Sequence, residues 1–238
     1  MLHQRNKICS KYQKFFKPFE QSELRIKDAT EQSEDVNNYL EVRYMNIGID
    51  IDDTIAKKSE ETDIYAKEYT EKVLNRKFEF KQVEILDPMW AKHLYGWSSE
   101  ENDNFWDLYY EKIMENVKPK DDAIEIINEL SKENNIIIIT ARWDRENGII
   151  NEITKHWLDT YNINYNKLFI GHEDKRNIAK ENEIDLFIDD NFKTCKQISE
   201  IGIKTLLMNS RINKDMKTDN LERVFSWKEI AEKIKEVN

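Results

Sequence analysis

The sequence is poor in cysteine. Cys9 and Cys195 are the two among 238 residues, far apart and in no metal-ligand spacing. That excludes a disulfide framework and a cysteine-based metal site, and it suits a reducing, cytoplasmic location. Long apolar runs are missing as well: no stretch approaches the ~18 apolar residues of a membrane span, so no membrane partner is expected. Positive charge is in deficit. Lys and Arg number 37 against 47 Asp and Glu, a formal net charge of −10. A binder of nucleic-acid polymers usually carries a basic face, so this balance argues against one. It leaves room for a small anionic substrate, because a metal ion can mask local charge. The basic N-terminus (Arg5, Lys7, Lys11, Lys14, Lys17) lacks the apolar segment that would follow in a secretory signal. There is no internal repeat, and nothing in the sequence fixes an oligomeric state.

What is present is a soluble globular composition, 39% hydrophobic and 35% charged. The length allows one large domain, or one domain with an inserted subdomain. Residues 1–44 are polar, weakly periodic, and change from basic to acidic near Glu20. Two readings stand for them: a flexible or loosely helical extension, or a segment ahead of a biological start at Met45.

From residue 46 the pattern becomes regular. Ile47–Asp52 is a short β-rich run. Residues 60–76 carry helical spacing, as do residues 99–117, where Phe105, Leu108, Tyr109 and Ile113 are expected on one face. Between them "LDPMWAKHLYGWSS" has the Pro and Gly of a loop. Helices are expected at 121–133, 144–160, 174–182, 192–201 and 226–236. Strands are expected at "NNIIIITAR", "KLFIG", "IDLFIDD" and "IKTLLMN". The apolar run into Thr140 suits a strand buried on both faces of a parallel sheet. Alternation of this kind predicts an α/β fold with a doubly wound parallel sheet. Right-handed crossovers then gather the strand C-termini on one edge, where ligands bind.

Chemistry-bearing residues sit at those ends. "MNIGIDIDDT" closes the first strand with Asp50, Asp52 and Asp53 among isoleucines, an arrangement that burial alone does not favour. Thr140, Ala141 and Arg142 end the next strand, and Asp189 and Asp190 end a later one, with Lys175 ahead of it. Carboxylates from two strands make a hard-oxygen site for Mg²⁺, which offsets their repulsion. Plainer readings accompany each. An acid at a strand end is commonly a turn residue or helix cap. Lys180 competes with Lys175, which is favoured because "HEDK" opens the helix near the loop edge, and Arg142 reads equally as a phosphate contact and as an ordinary salt-bridge partner. His93, His156 and His172 read as surface or packing residues. The aromatics Trp90, Tyr95, Trp97, Phe105, Trp106 and Tyr109 read by default as helix-packing core, with stacking on a base as the alternative for part of them.

These segments resemble the four motifs of the haloacid dehalogenase (HAD) superfamily of phosphohydrolases. "DIDDT" resembles the first, "IIIITAR" the second, Lys175 the third, and "IDLFIDDN" the fourth, in order along residues 46–208. The residue after the second aspartate is often Gly in that family and is Asp53 here. The resemblance implies a HAD-like catalytic core over residues 45–58 and 118–238, with a small helical cap at 59–117 that chooses the leaving group. It implies Asp50 as the nucleophile of an aspartyl-phosphate and Asp52 as the acid and base. Thr140, Ala141 and Lys175 would hold the phosphoryl group. Mg²⁺ would lie on Asp50, the Asp52 carbonyl and Asp190, with Asp189 direct or through water. The cap together with "TAR" and "IDD" is most similar to the cytosolic type C 5′(3′)-deoxyribonucleotidases and the bacterial nucleotidases near them. The implied activity is Mg²⁺-dependent hydrolysis of a small phosphate ester, a (deoxy)nucleoside monophosphate. The alternatives are another small phosphate, such as a sugar phosphate, or an idle HAD-like binding protein.

Overall fold

The computed structural model describes residues 44–82, 90–144, 148–218 and 220–235. The expectations for residues 1–43, for the loop at 86–89 and for residues 145–147 of the helix expected from 144 lie outside the described residues.

Strand β1 (Asn46–Ile49) leads into α1 (Lys58–Glu68), which runs on into a π-helical turn, Tyr69–Val73. Then come α2 (Trp90–Tyr95), α3 (Ser99–Asn116) and α4 (Ala123–Leu130). From there strand and helix alternate: β2 (Asn135–Thr140), α5 (Ile149–Thr160), β3 (Lys167–Ile170), α6 (Arg176–Glu181), β4 (Leu186–Asp189), α7 (Phe192–Glu200) and β5 (Lys204–Met208). The described chain closes with β6 (Glu222–Val224) and α8 (Trp227–Lys235). The six strands form one sheet in the order β3-β2-β1-β4-β5-β6, every pair parallel.

Both sheet faces are covered, which is why the strands read as unbroken apolar runs. Ile47 and Ile49 of β1, Ile136 and Ile138 of β2, and Ile188 of β4 pack on one face with Ile127 of α4, Trp157 of α5 and Ile230 of α8. Ile137, Ile139 and Phe187 point to the opposite face, against Ile178 of α6 and Ile198 of α7. Gly48 also faces that side. A Cβ there would stand 2.5 Å from Phe187 Cδ2, so only glycine lets β1 lie beside β4.

The segment inserted between β1 and α4 has an apolar cluster of its own, built from Ala66, Tyr69, Leu94, Trp97, Phe105, Tyr109 and Ile113, with Ile150 of α5 joining it. Its two connections to the sheet pair with each other. Lys57 N–H donates to the Lys118 carbonyl and Lys120 N–H to the Ile55 carbonyl, each at 2.7 Å. Helix α3 starts on a reciprocal cap: Ser98 Oγ accepts from Glu101 N–H, and Glu101 Oε2 accepts from Ser98 N–H.

Several expectations are corrected. The loop expected around residues 86–99 contains α2, whose apolar residues Ala91, Leu94 and Tyr95 are buried. Gly96, at φ +67, ends it in the left-handed conformation. The strand β6 was not expected, because only Val224 of its three residues is buried at this sheet edge. Leu108 does not share the buried face of α3 with Phe105, Tyr109 and Ile113 and is 49% exposed. At about 100° per residue it projects well away from Tyr109.

Candidate active site

The site forms at the C-terminal edge where β1 lies between β2 and β4, the point at which chain order reverses across the sheet. Asp50 follows the last residue of β1 and its N–H donates to the Ile188 carbonyl, 2.9 Å. Thr140 and Asp189 are the last residues of β2 and β4. Lys175 directly precedes α6 and is 3% exposed, whereas Lys180 lies at the solvent. The Lys175 ammonium donates to Asp50 Oδ1 at 2.5 Å and to Asp189 Oδ2 at 2.7 Å. The chain thus brings together Asp50, Thr140, Lys175, Asp189 and Asp190, all buried. Ala141 is exposed on the loop beyond Thr140.

The second aspartate of the motif is held differently. Asp52 Oδ1 accepts from Arg142 Nε at 2.9 Å and from Arg142 Nη2 at 2.8 Å. Asp52 Oδ2 lies 3.1 Å from Lys58 Nζ, at the first residue of α1. Asp53 sits at φ +55, in the left-handed region that glycine fills without a steric penalty and Asp tolerates. Its carboxylate accepts from the Ser59 N–H (2.8 Å) and the Ser59 hydroxyl (2.6 Å) in the first turn of α1, where negative charge is favoured.

Asp50, Asp189 and Asp190 can each offer one carboxylate oxygen, and these oxygens lie within 4.8 Å of one another. Both Asp189 oxygens already have donors, Lys175 on Oδ2 and Asn191 N–H on Oδ1. Asp190 Oδ2 is buried and has none. An orphaned, buried carboxylate oxygen beside two further carboxylates is the donor set that a hard divalent cation requires, so these residues fit Mg²⁺.

Comparison with known proteins places this arrangement. The model of the family described as "5′ nucleotidase, deoxy (Pyrimidine), cytosolic type C protein" matches residues 43–237. The chain belongs to this family. A nucleotidase of Clostridium acetobutylicum is 32% identical over 188 residues, 78% of this chain and 91% of that protein. A haloacid dehalogenase-like hydrolase from Streptococcus pneumoniae superposes with a TM-score of 0.58 at 14% identity, covering 80% of this chain and 98% of that one. A HAD-superfamily hydrolase from Geobacter sulfurreducens gives 0.51 at 10% identity, covering 80% and 96%. The sheet is therefore HAD-like, and this member of the nucleotidase family is a phosphoric monoester hydrolase.

In this nucleotidase-family site the two motif aspartates are driven in opposite directions. Burial, together with the charges of Asp189 and Asp52, outweighs Lys175 and raises Asp50 to about 7. Burial also acts to raise Asp52, but Arg142 and Lys58 prevail and hold it at about 2. Asp190 is pushed well above the usual carboxylate range by burial and by the charges of Asp53, Asp189 and Asp50. The side chains around them therefore disfavour the ionised form at Asp50 and Asp190, the two positions that a cation would relieve.

Sequence reasoning missed Lys58 and Asn213, and it weighed Arg142 as a phosphate contact or a salt-bridge partner without finding Asp52 as that partner. Lys58 was part of a conspicuous stretch, yet no local pattern ties a lysine six residues on to Asp52. The Arg142 partnership joins residues 90 apart in the chain, with no local signal. Asn213 donates through Nδ2 to the Asp190 carbonyl at 2.6 Å and to the Met208 carbonyl at 2.8 Å, fixing the turn after β5 under the acids. Of the plainer readings, the one for the histidines stands: His93, His156 and His172 are exposed. So does the one for the aromatics Tyr95, Trp97, Phe105 and Tyr109, which are buried in the insertion's own cluster.

Proposed function

We propose that the protein hydrolyses (deoxy)nucleoside monophosphates with Mg²⁺ through an aspartyl-phosphate on Asp50. The observation that carries the reading is the meeting of Asp50, Lys175 and Asp189 beside the orphaned Asp190 Oδ2. The family match and the nucleotidase relative support the substrate class. Asp50 attacks phosphorus and the ester P–O bond breaks, the departing oxygen taking a proton from Asp52. Asp52 then takes a proton from water, whose oxygen bonds phosphorus and releases inorganic phosphate, restoring Asp50. Water and ester give alcohol and phosphate, and no atom is left over. Asp52 rests as a carboxylate held by two cations, so its service as an acid begins with proton uptake in the substrate complex.

Asp50, Asp190 and the Asp52 carbonyl would hold the Mg²⁺, with Asp189 beside them. The bound dication would supply the positive charge that keeps Asp50 ionised and offsets the charge of the phosphate. Thr140, the Ala141 backbone and Lys175 would steady the phosphoryl oxygens. Residues 59–117 would serve as a cap over the core of 45–58 and 118–238, excluding water from the Asp50 adduct. The cysteine content of the sequence supports a cytoplasmic setting.

The test is a panel of nucleoside monophosphates and sugar phosphates, assayed with wild type and Asp50→Asn, with and without Mg²⁺. Hydrolysis of nucleotides by wild type alone, and only with Mg²⁺, is expected. Turnover of sugar phosphates in preference to nucleotides would move the substrate class, and wild-type rates from Asp50→Asn would remove the mechanism.

A further inference from the structure

The two oxygens of Asp52 are not equivalent. Oδ1 receives two N–H donors from one guanidinium, which fills both of its lone pairs. That guanidinium does not move freely. The Arg142 side chain is wholly buried. Its Nη1 donates to Thr154 Oγ1 at 3.4 Å, and it lies 5.7 Å from the ring centroid of Trp157. Trp157 is itself buried and anchored through Nε1–H to the Val117 carbonyl at 2.8 Å. Oδ2 meets a different partner: Lys58, about a quarter exposed, on a flexible stem at the start of the insertion.

We propose that Arg142 is the positioning residue of the general acid. It locks Oδ1 and so makes Oδ2 the oxygen that carries the proton to the leaving group. A proton placed on Oδ1 would break a buried charge-assisted pair, which is strongly unfavourable. A proton on Oδ2 displaces only a lysine that solvent and substrate can reach. The step is then a transfer of one proton from Asp52 Oδ2 to the ester oxygen as its bond to phosphorus breaks, while Arg142 stays on Oδ1. The same geometry removes Arg142 from contact with phosphate, since its Nε and Nη2 are turned onto Asp52. Lys58 marks the place at which the leaving oxygen approaches.

This inference rests on Asp52 being the acid, as proposed above, and the experiment separates the two. Asp52→Asn, Arg142→Met and the double variant are assayed on a nucleoside monophosphate, whose alkoxide leaving group needs a proton, and on p-nitrophenyl phosphate, whose leaving group needs little help. General acids contribute on the order of 10²–10⁴-fold. Arg142→Met should therefore lower kcat on the nucleotide by ~10-fold or more with KM little changed, while kcat on the aryl ester falls much less. In the Asp52→Asn background, Arg142→Met should add no further loss on the nucleotide, because both changes remove one function. Equal losses on both esters, a KM rise shared by both, or a fully additive loss in the double variant would overturn the positioning role. If Asp52→Asn itself fails to distinguish the two esters, the acid assignment falls instead. Arg142→Lys keeps a buried cation on Asp52 with fewer donors, and reads the same nucleotide-to-aryl ratio should Arg142→Met fail to fold.

Discussion

The Lys175 ammonium joins Asp50 and Asp189, carboxylates at the ends of two neighbouring strands, at 2.5 and 2.7 Å. One buried cation faces three buried acids, because Asp190 stands in the same group. The charges do not balance, and the local field shows it: Asp50 is raised to about 7, first by burial and then by Asp189 and Asp52.

A pH dependence of stability follows, with a definite sign. The ordinary value of the Asp50 carboxyl is 3.8 and its folded value about 7. Between them the folded state binds more protons than the unfolded state, so stability falls as pH rises through that window. In EDTA, wild-type Tm should therefore decline from pH 4 to pH 7. Asp50→Asn, which cannot ionise, should decline less and should exceed wild type at pH 8, by roughly 2–4 °C for each kcal/mol relieved. Parallel Tm–pH curves for the two proteins would contradict this account of the site.

Metal dependence gives the second expectation. Chelation should abolish turnover and Mg²⁺ should restore it. Asp190 supplies the oxygen without a partner, so Asp190→Ala should raise the Mg²⁺ concentration for half-maximal rate by more than ~10-fold, at least as much as the loss of a supporting residue around a metal. A substitution in the insertion, such as Leu108→Ala, should leave that concentration unchanged. Full activity in EDTA, or an unaltered Mg²⁺ requirement in Asp190→Ala, would remove the assigned ligands.

Much of this was legible in the chain itself, for a physical reason. Strands buried on both faces must be apolar, so an acid or hydroxyl at the end of such a run is conspicuous, and Asp50, Thr140 and Asp189 are found at such ends. The alternation of strands with amphipathic helices then set the parallel order. What was not legible depends on distance in the chain or on weak pattern. The three-residue edge strand β6 buries one side chain, too little to register as alternation. The helix α2 falls between Pro88 and Gly96, residues that signal turns. The sequence alone favours Lys175 over Lys180, because "HEDK" opens the helix at the loop edge, and the loop before α6 turns Lys175 inward and leaves Lys180 at the solvent. Asp53, where the resembled family often has Gly, is explained only by its backbone at φ +55.

A third prediction concerns packing beneath the site. Gly48→Ala places a Cβ 2.5 Å from Cδ2 of the fully buried Phe187 ring. Overpacking of this kind costs about 1–3 kcal/mol, and the strain falls on the β1–β4 pair that aligns Asp50 with Asp189. Thermal unfolding should show a clear drop in Tm, and Phe187→Leu in the same chain should recover part of it. An unchanged Tm for Gly48→Ala would mean that the strands separate more easily than their register suggests.

The aromatics that build the insertion differ from Trp143, on the loop after β2. Trp97 is 4% exposed, donates through Nε1 to Thr70 Oγ1 at 3.0 Å, and has the rings of Tyr95 and Phe105 at 4.7 Å. Trp97→Ala should cost about 3–5 kcal/mol of stability and harm every substrate alike. Trp143 differs: it is 61% exposed, three residues beyond Thr140 on the loop at the sheet edge. Its N–H donates to the Tyr110 hydroxyl of α3 at 3.1 Å, which fixes the backbone of that loop against the insertion. If Thr140 and Ala141 hold the phosphate as proposed, Trp143 on the same loop would lie close to the base, and base stacking contributes on the order of 1–3 kcal/mol. Trp143→Ala should thus lower kcat/KM for nucleoside monophosphates by roughly 10- to 100-fold, while p-nitrophenyl phosphate turnover and Tm stay near wild type. Equal losses on both esters would assign Trp143 to structure, and no loss on nucleotides would place the base elsewhere.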